Sequence, residues 1–189
     1  MADATGAEGF PPHCALIEVH VSDLKELFNS FDPTPFHKRD LDPGAEEFIA
    51  SWARDMPGDV PLGLRVHMDR DAPKDANETV HAAVRDHFAR KATATRQQLR
   101  QLFRVGRISL VIGLAVVAGS VVVGDLVETM MAGTRFGGII AESLLIGGWV
   151  AMWRPLEIFL YEWWPIRAEA RLYDRLSKMI VRVGQTRTA

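Results

Sequence analysis

Two stretches of the chain alternate apolar and polar residues, ALIEVHV (Ala15–Val21) and LGLRVHMD (Leu62–Asp69), and predict strands with one apolar face. Between and after them the signals are helical. Ser22 can cap a helix from Asp23 to about Phe31, Asp42-Pro43 opens one that runs to about Asp55, and Asp75 with Glu78 three residues on opens a third. In that third helix Val80, Val84 and Phe88 recur every fourth position, which predicts that they cover the apolar sheet face. From Ala89 to Gln98 the pattern turns polar without a breaker, so the helix continues as a stalk.

Beyond Arg107 the alternation gives way to continuous apolar sequence. Ile108–Gly124 is 17 residues without a charge, and a second apolar stretch runs from Phe136 to Trp153. At about 1.5 Å per residue each reaches roughly 25–27 Å, close to the ~30 Å hydrocarbon core of a bilayer. Past Pro165, Leu172, Leu176, Met179, Ile180 and Val183 follow a helical repeat, with Arg167, Arg171, Arg175 and Arg182 largely elsewhere; this predicts a basic amphipathic helix. The expected fold is an α+β membrane protein. An acidic cytoplasmic domain of two strands and about three helices (1–89) leads through a basic helical stalk (90–107) to a two-helix transmembrane hairpin (108–153, spans about 108–124 and 136–153). An interfacial aromatic stretch and an amphipathic tail follow (154–189).

Charge sharpens this division. Residues 1–89 hold 8 Lys/Arg against 17 Asp/Glu, whereas 90–189 hold 14 against 7. The positive charges of the second half flank the apolar blocks and form no single solvated face, which argues for a membrane and against nucleic acid. Arg90, Lys91, Arg96, Arg100, Arg104 and Arg107 precede the first span, seven basic residues follow the second, and the connection from Asp125 to Arg135 has one. The positive-inside bias then predicts both termini in the cytoplasm and a short external turn. MADATGAEGFPPH has no secretory leader pattern, so insertion is expected to use an internal segment. The lone Cys14 excludes an intrachain disulfide and a cysteine-based zinc site.

The stretch WVAMWRPLEIFLYEWWPIR (Trp149–Arg167) combines four of the five tryptophans with Arg154, Glu157, Glu162 and two prolines. Pro155 lacks a backbone donor and disfavours helix at Arg154, so the second span is expected to end or kink there and give way to an interfacial helix. Its rings suit headgroup depth, and Arg154 can snorkel and pair with Glu157 three residues on. A register with Arg154 mid-membrane would cost several kcal/mol unless that charge were paired.

Candidate chemistry is sparse. The polar side of the two strands presents Glu18, His20, Arg65 and His67, read foremost as a solvated or interfacial face with a Glu18–Arg65 cross-strand pair, and only secondarily as metal ligands or a proton-transfer pair. The loop FDPTPFHKRDLD (Phe31–Asp42), with His37, Arg39, Asp32, Asp40 and Asp42, is read as a proline-stiffened elbow. Glu142, six residues into the second span, is an intramembrane ionisable group near the outer end, with Arg135 as a potential partner; with Arg154 and Glu157 it completes the candidate intramembrane set. Small residues at Ala115/Gly119, Ser120/Gly124 and Gly147/Ala151 allow close helix approach and, with the thin two-stranded sheet, point to a homo-oligomer. No phosphate-binding glycine loop, nucleophile motif or HExxH occurs, so no catalytic residue, metal site or cofactor is expected.

The runs FNSFDPTPFHKRDLD and GGWVAMWRPLEIFLYEWWPIRAEARLYDRL resemble an uncharacterised bacterial family of small two-span membrane proteins, over nearly the whole chain. The resemblance implies a bacterial inner-membrane setting and supplies no activity, cofactor or site residue. The expected role is a non-enzymatic, oligomeric inner-membrane scaffold, sensor or regulator whose cytoplasmic domain recruits a protein partner. The alternative is a small ion channel or proton-coupled transporter using Glu142.

Overall fold

The computed structural model describes residues 9–11, 13–29, 40–69, 76–132 and 135–185. The chain divides into two compact units, one made of residues 1–94 and 169–189, the other of residues 95–168.

The first unit is built on a three-stranded parallel sheet in the order β1-β2-β3, with β1 at Ala15–Val21, β2 at Leu62–Met68 and β3 at Ile180–Gln185. Parallel neighbours need long crossovers. The first contains a 3-10 turn (Leu24–Leu27) and helix α1 (Pro43–Asp55); the second contains everything from helix α2 (Ala76–Met130) through α3 (Arg135–Glu157) to α4 (Trp163–Leu176). The apolar hairpin is therefore an insertion within a strand-to-strand crossover.

Register sets the two faces. Ile17 pairs with Leu64 and Leu64 with Val181, and Val19 pairs with Val66 and Val66 with Val183, so these side chains share the face that α1, α2 and α4 cover. Val80, Val84 and Phe88 are fully buried against it, as their spacing predicts, each contributing roughly 2 kcal/mol by apolar burial. From α1 come Ile49, Ala50 and Ala53, and from α4 Leu172, Tyr173 and Leu176; the Tyr173 ring stacks on Phe88 with centroids 6.2 Å apart. Asp42 caps α1 by accepting from the Gly44 N–H at 2.8 Å.

Three expectations need correction. The tail is not helical to Val183: α4 ends at Leu176, Ser177 and Lys178 turn, and residues 180–185 form the third strand. Both periods fit IVRV; what decides is that β2 has an open edge to fill and that Val181 and Val183, two apart, complete its apolar face. The Asn77 side chain then accepts the outward Val183 N–H at 3.2 Å. Of the helix expected from Asp23 to about Phe31, the described residues form only the 3-10 turn. After it the backbone is drawn into a short antiparallel pairing of Phe28 with Leu41, with Asn29 N–H donating to the Asp40 carbonyl at 2.9 Å. Residues 31–39 of the FDPTPFHKRDLD loop, His37 and Arg39 among them, lie outside the described residues.

The third correction lies in the second unit, where α2 and α3 pack as an antiparallel pair. The seam runs through Gly137, Ala141, Leu144, Gly148, Ala151 and Pro155 of α3 to Ile158 just beyond it, spaced alternately four and three residues, all at least half-buried; this is the spacing of coiled-coil packing. At Gly148 a Cβ would lie 3.2 Å from the Val117 Cα and 3.1 Å from the Ser120 Oγ, so glycine is what lets the backbones meet. The helix does not end at Pro155. Helical geometry continues to Glu157, widens into a π-helical turn at Ile158–Glu162 and resumes as α4. Proline deprives the Ala151 carbonyl of its usual donor, and that oxygen packs onto Gly113, 3.2 Å from where a Cβ would stand. The helical path thus continues past Pro155, with the Ala151 carbonyl covered by the facing helix.

Candidate functional site

The polar face of the sheet gathers the residues that the strand alternation singles out. Glu18 stands opposite Arg65 and His20 opposite His67 on β1 and β2. The Glu18 carboxylate lies 3.5 Å from Arg65 Nη1 and 3.6 Å from His67 Nε2, and the two imidazoles stack with centroids 4.5 Å apart and planes within 10°. Imidazole lone pairs lie in the ring plane, so two parallel rings do not converge on one ion. Among the described residues no group of three His, Cys, Asp or Glu is placed to hold a metal. The register extends the cluster to Arg182, opposite Arg65 on β3. Phe10 packs its ring under the Arg65 guanidinium, 5.3 Å away, and over Gly63, where a Cβ would come within 2.7 Å of it. Cys14 sits beside the same glycine, and burial pushes its thiol up from the ordinary value.

A second polar cluster escapes the sequence reading. His87 is buried, with a side chain 5% exposed, yet Nδ1 lies 3.0 Å from Asp40 and Nε2 lies 3.1 Å from Glu46. Arg90 pairs with the same Asp40 oxygen, and Lys91 with the other Glu46 oxygen at 2.8 Å. The imidazole stands between the two carboxylates, its Nδ1 also 3.4 Å from the Leu41 backbone N–H, and the two cations one turn on balance the carboxylate pair. The Arg90 hydrogen bond is the main reason that the Asp40 carboxyl is held below the usual carboxylate range; partial burial opposes it and His87 adds to it. The network ties α2 to the start of α1 and to the strand-like segment before it. One signal was present: His87 falls three residues after Val84, on the stripe that Val80, Val84 and Phe88 define. Tyr173, beneath this layer, donates to Glu169 at 3.1 Å, and burial foremost pushes its hydroxyl up to about 12.

Of the candidate intramembrane residues, Arg154 and Glu157 meet and Glu142 stands apart from them. Glu142 is exposed on α3, off the seam, and makes no ion pair among the described residues; it is not joined to Arg135. Arg154 pairs with Glu157 at 2.9 Å and also with Glu162, eight residues on. The widened turn explains the second partner, because an extra residue in the helical path brings i+8 to where i+7 normally stands. In the same region Trp163 donates its indole N–H to the Phe159 carbonyl at 2.9 Å, and Arg167 lies 5.7 Å over the Trp163 ring. Trp149, Trp153, Tyr161 and Trp164 point outward and are exposed.

Two helical segments, Ala76–Met130 and Arg135–Leu176, are long and apolar enough to cross a membrane, and in each only 11% of the most apolar 18-residue window is buried within the protein. Of the small-residue pairs, Ser120, Gly124 and Ala151 face the seam, whereas Gly119 and Gly147 meet nothing within 4 Å. No protein-family model, curated protein or solved structure matches the chain.

Proposed function

We propose that this protein is a two-span inner-membrane scaffold or sensor that holds its α/β unit in the cytoplasm to recruit a protein partner, and that it acts as an oligomer. The observation that carries the reading is the sheet itself. Its first two strands precede the apolar hairpin and its third follows it, so the flanks of both helices belong to one unit and must share a compartment. The near-absence of buried residues in the apolar windows supports lipid as what covers them, since a core helix of a soluble protein would be mostly enclosed. The basic residues that flank the hairpin support the cytoplasmic side.

With Cys14 replaced, a thiol introduced by Ala132→Cys should react with an impermeant reagent added outside intact cells, and one introduced by Gly58→Cys should react only after lysis. The opposite pattern would invert the topology. The transporter reading rests on the exposed Glu142 carboxylate, which makes no ion pair among the described residues. Proton flux into liposomes that is abolished by Glu142→Gln would favour it over the scaffold.

A further inference from the structure

The fifth tryptophan lies outside the apolar half. Trp52 is 51% exposed and Phe48, one helical turn before it, 43% exposed; their rings stand 6.1 Å apart on the outside of α1. Neither ring serves the core, which α1 supplies through Ile49, Ala50 and Ala53. Aromatic side chains held one turn apart on a rigid helix are what protein interfaces use as anchors, because they offer large contact area at little cost in conformational entropy.

The charges around the pair select the occupant. Asp55 follows Trp52 by three residues and Asp59 lies just beyond; both are exposed, and neither makes an ion pair among the described residues. Glu47 is shared with Arg54 at 3.4 Å, and the surrounding sequence, residues 1–89, carries 17 acids against 8 bases. An anionic leaflet would be repelled by this rim. A second copy meeting the face about a two-fold axis would set Asp55 against like charge. A ridge of side chains at i and i+4 fits the groove of another helix.

We propose that the outer face of α1 is the docking surface for a cationic amphipathic helix of a partner protein, with Phe48 and Trp52 as anchors and Asp55 as the charge that sets its register. This rests on the reading of the α/β unit as a recruiting module and names the partner's chemistry.

The test uses the full chain, labelled with 5-fluorotryptophan, in zwitterionic nanodiscs, the Trp52 resonance being assigned by its loss in Trp52→Phe. The probe is a synthetic amphipathic helix of leucine and lysine, with a glutamate-for-lysine version as control. The Trp52 resonance should shift saturably with the lysine peptide and stay fixed with the glutamate peptide. Phe48→Ala should weaken binding about 30-fold, as for an interface anchor. Asp55→Asn should weaken it a few-fold and flatten its salt dependence. A Trp52 resonance that does not move, that moves equally with both peptides, or that stays fixed while the other four shift would overturn the proposal. Nanodiscs expose both membrane faces, so this outcome is independent of orientation, which the cysteine labelling reads separately.

Discussion

The third strand makes a demand that a helical tail would reverse. In β3 Val181 is 3% exposed and packs with Leu64 and Val66, whereas Ile180 is on the other face and half-buried. Were 165–183 one amphipathic helix, at 100° per residue Ile180 would join Leu172, Leu176, Met179 and Val183 on the apolar stripe, and Val181 would point to the opposite side. Aspartate at each position separates the two. Val181→Asp removes a buried valine, about 2 kcal/mol, and introduces a carboxyl group without a partner, at least ~2 kcal/mol more, for about 4 kcal/mol in all. Ile180→Asp, at a half-buried site on the polar face, should cost about 1 kcal/mol. Hydrogen exchange of amides in β2, followed by mass spectrometry on the full chain in nanodiscs, reads the difference. At about 1.4 kcal/mol per tenfold, Val181→Asp should speed exchange over 62–68 by about a thousandfold, and Ile180→Asp by about fivefold. The reverse order would refute β3.

In the hairpin, Gly148→Leu should separate the helices and cost about 1–3 kcal/mol, because its Cβ would meet the Val117 Cα at 3.2 Å, whereas Gly147→Leu, with open space around it, should be neutral or slightly stabilising; thermal melts in nanodiscs compare them, and equal effects would count against the seam. Asp40, with its folded pKa depressed, contributes stability that is complete above the ordinary carboxylate value of about 4 and is lost as pH falls through the lower folded value. Its side chain is 54% exposed, so the contribution is below about 1 kcal/mol, and Asp40→Asn should lower the melting temperature at pH 7 yet erase most of the difference from wild type near pH 2. A fragment of residues 1–89 should show no cooperative unfolding transition by circular dichroism, since it lacks β3, α4 and the Arg175 side chain that bonds the Pro57 and Val60 carbonyls.

What was legible in the sequence had a single dominant local cause. Alternation over 15–21 and 62–68 fixes β1 and β2 because one face must be apolar and the other wet; Asp42-Pro43 fixes the start of α1 by its capping geometry; the uncharged run of 108–124 admits only a long helix. What was not legible depended on partners far away in sequence. IVRV satisfies two periods, and only the vacant edge of β2 chooses between them. Pro155 is a breaker in isolation, and the close approach of the Ala151 carbonyl to Gly113 on the facing helix is visible only in the fold. His87 reads as one more polar residue near Phe88 until the fold delivers Asp40 and Glu46 from 47 and 41 residues away.

The same distance governs how the unit can assemble. Gly63 pairs with Ile180 across more than a hundred residues, so the β2–β3 contact carries a large loop-closure cost, which neither strand offsets until the chain between them has lost its freedom. The intervening segment supplies that loss itself. Once α2 and α3 have formed and their small-residue seam has closed, most of the loop is already ordered and its two ends leave from antiparallel helices. Closing the sheet then requires only α4 to pack Tyr173 and Leu176 beside Phe88 and the four core residues of β2 to find Val181 and Val183. The long crossover thus couples closure of the sheet to the ordering of the hairpin that lies between its second and third strands.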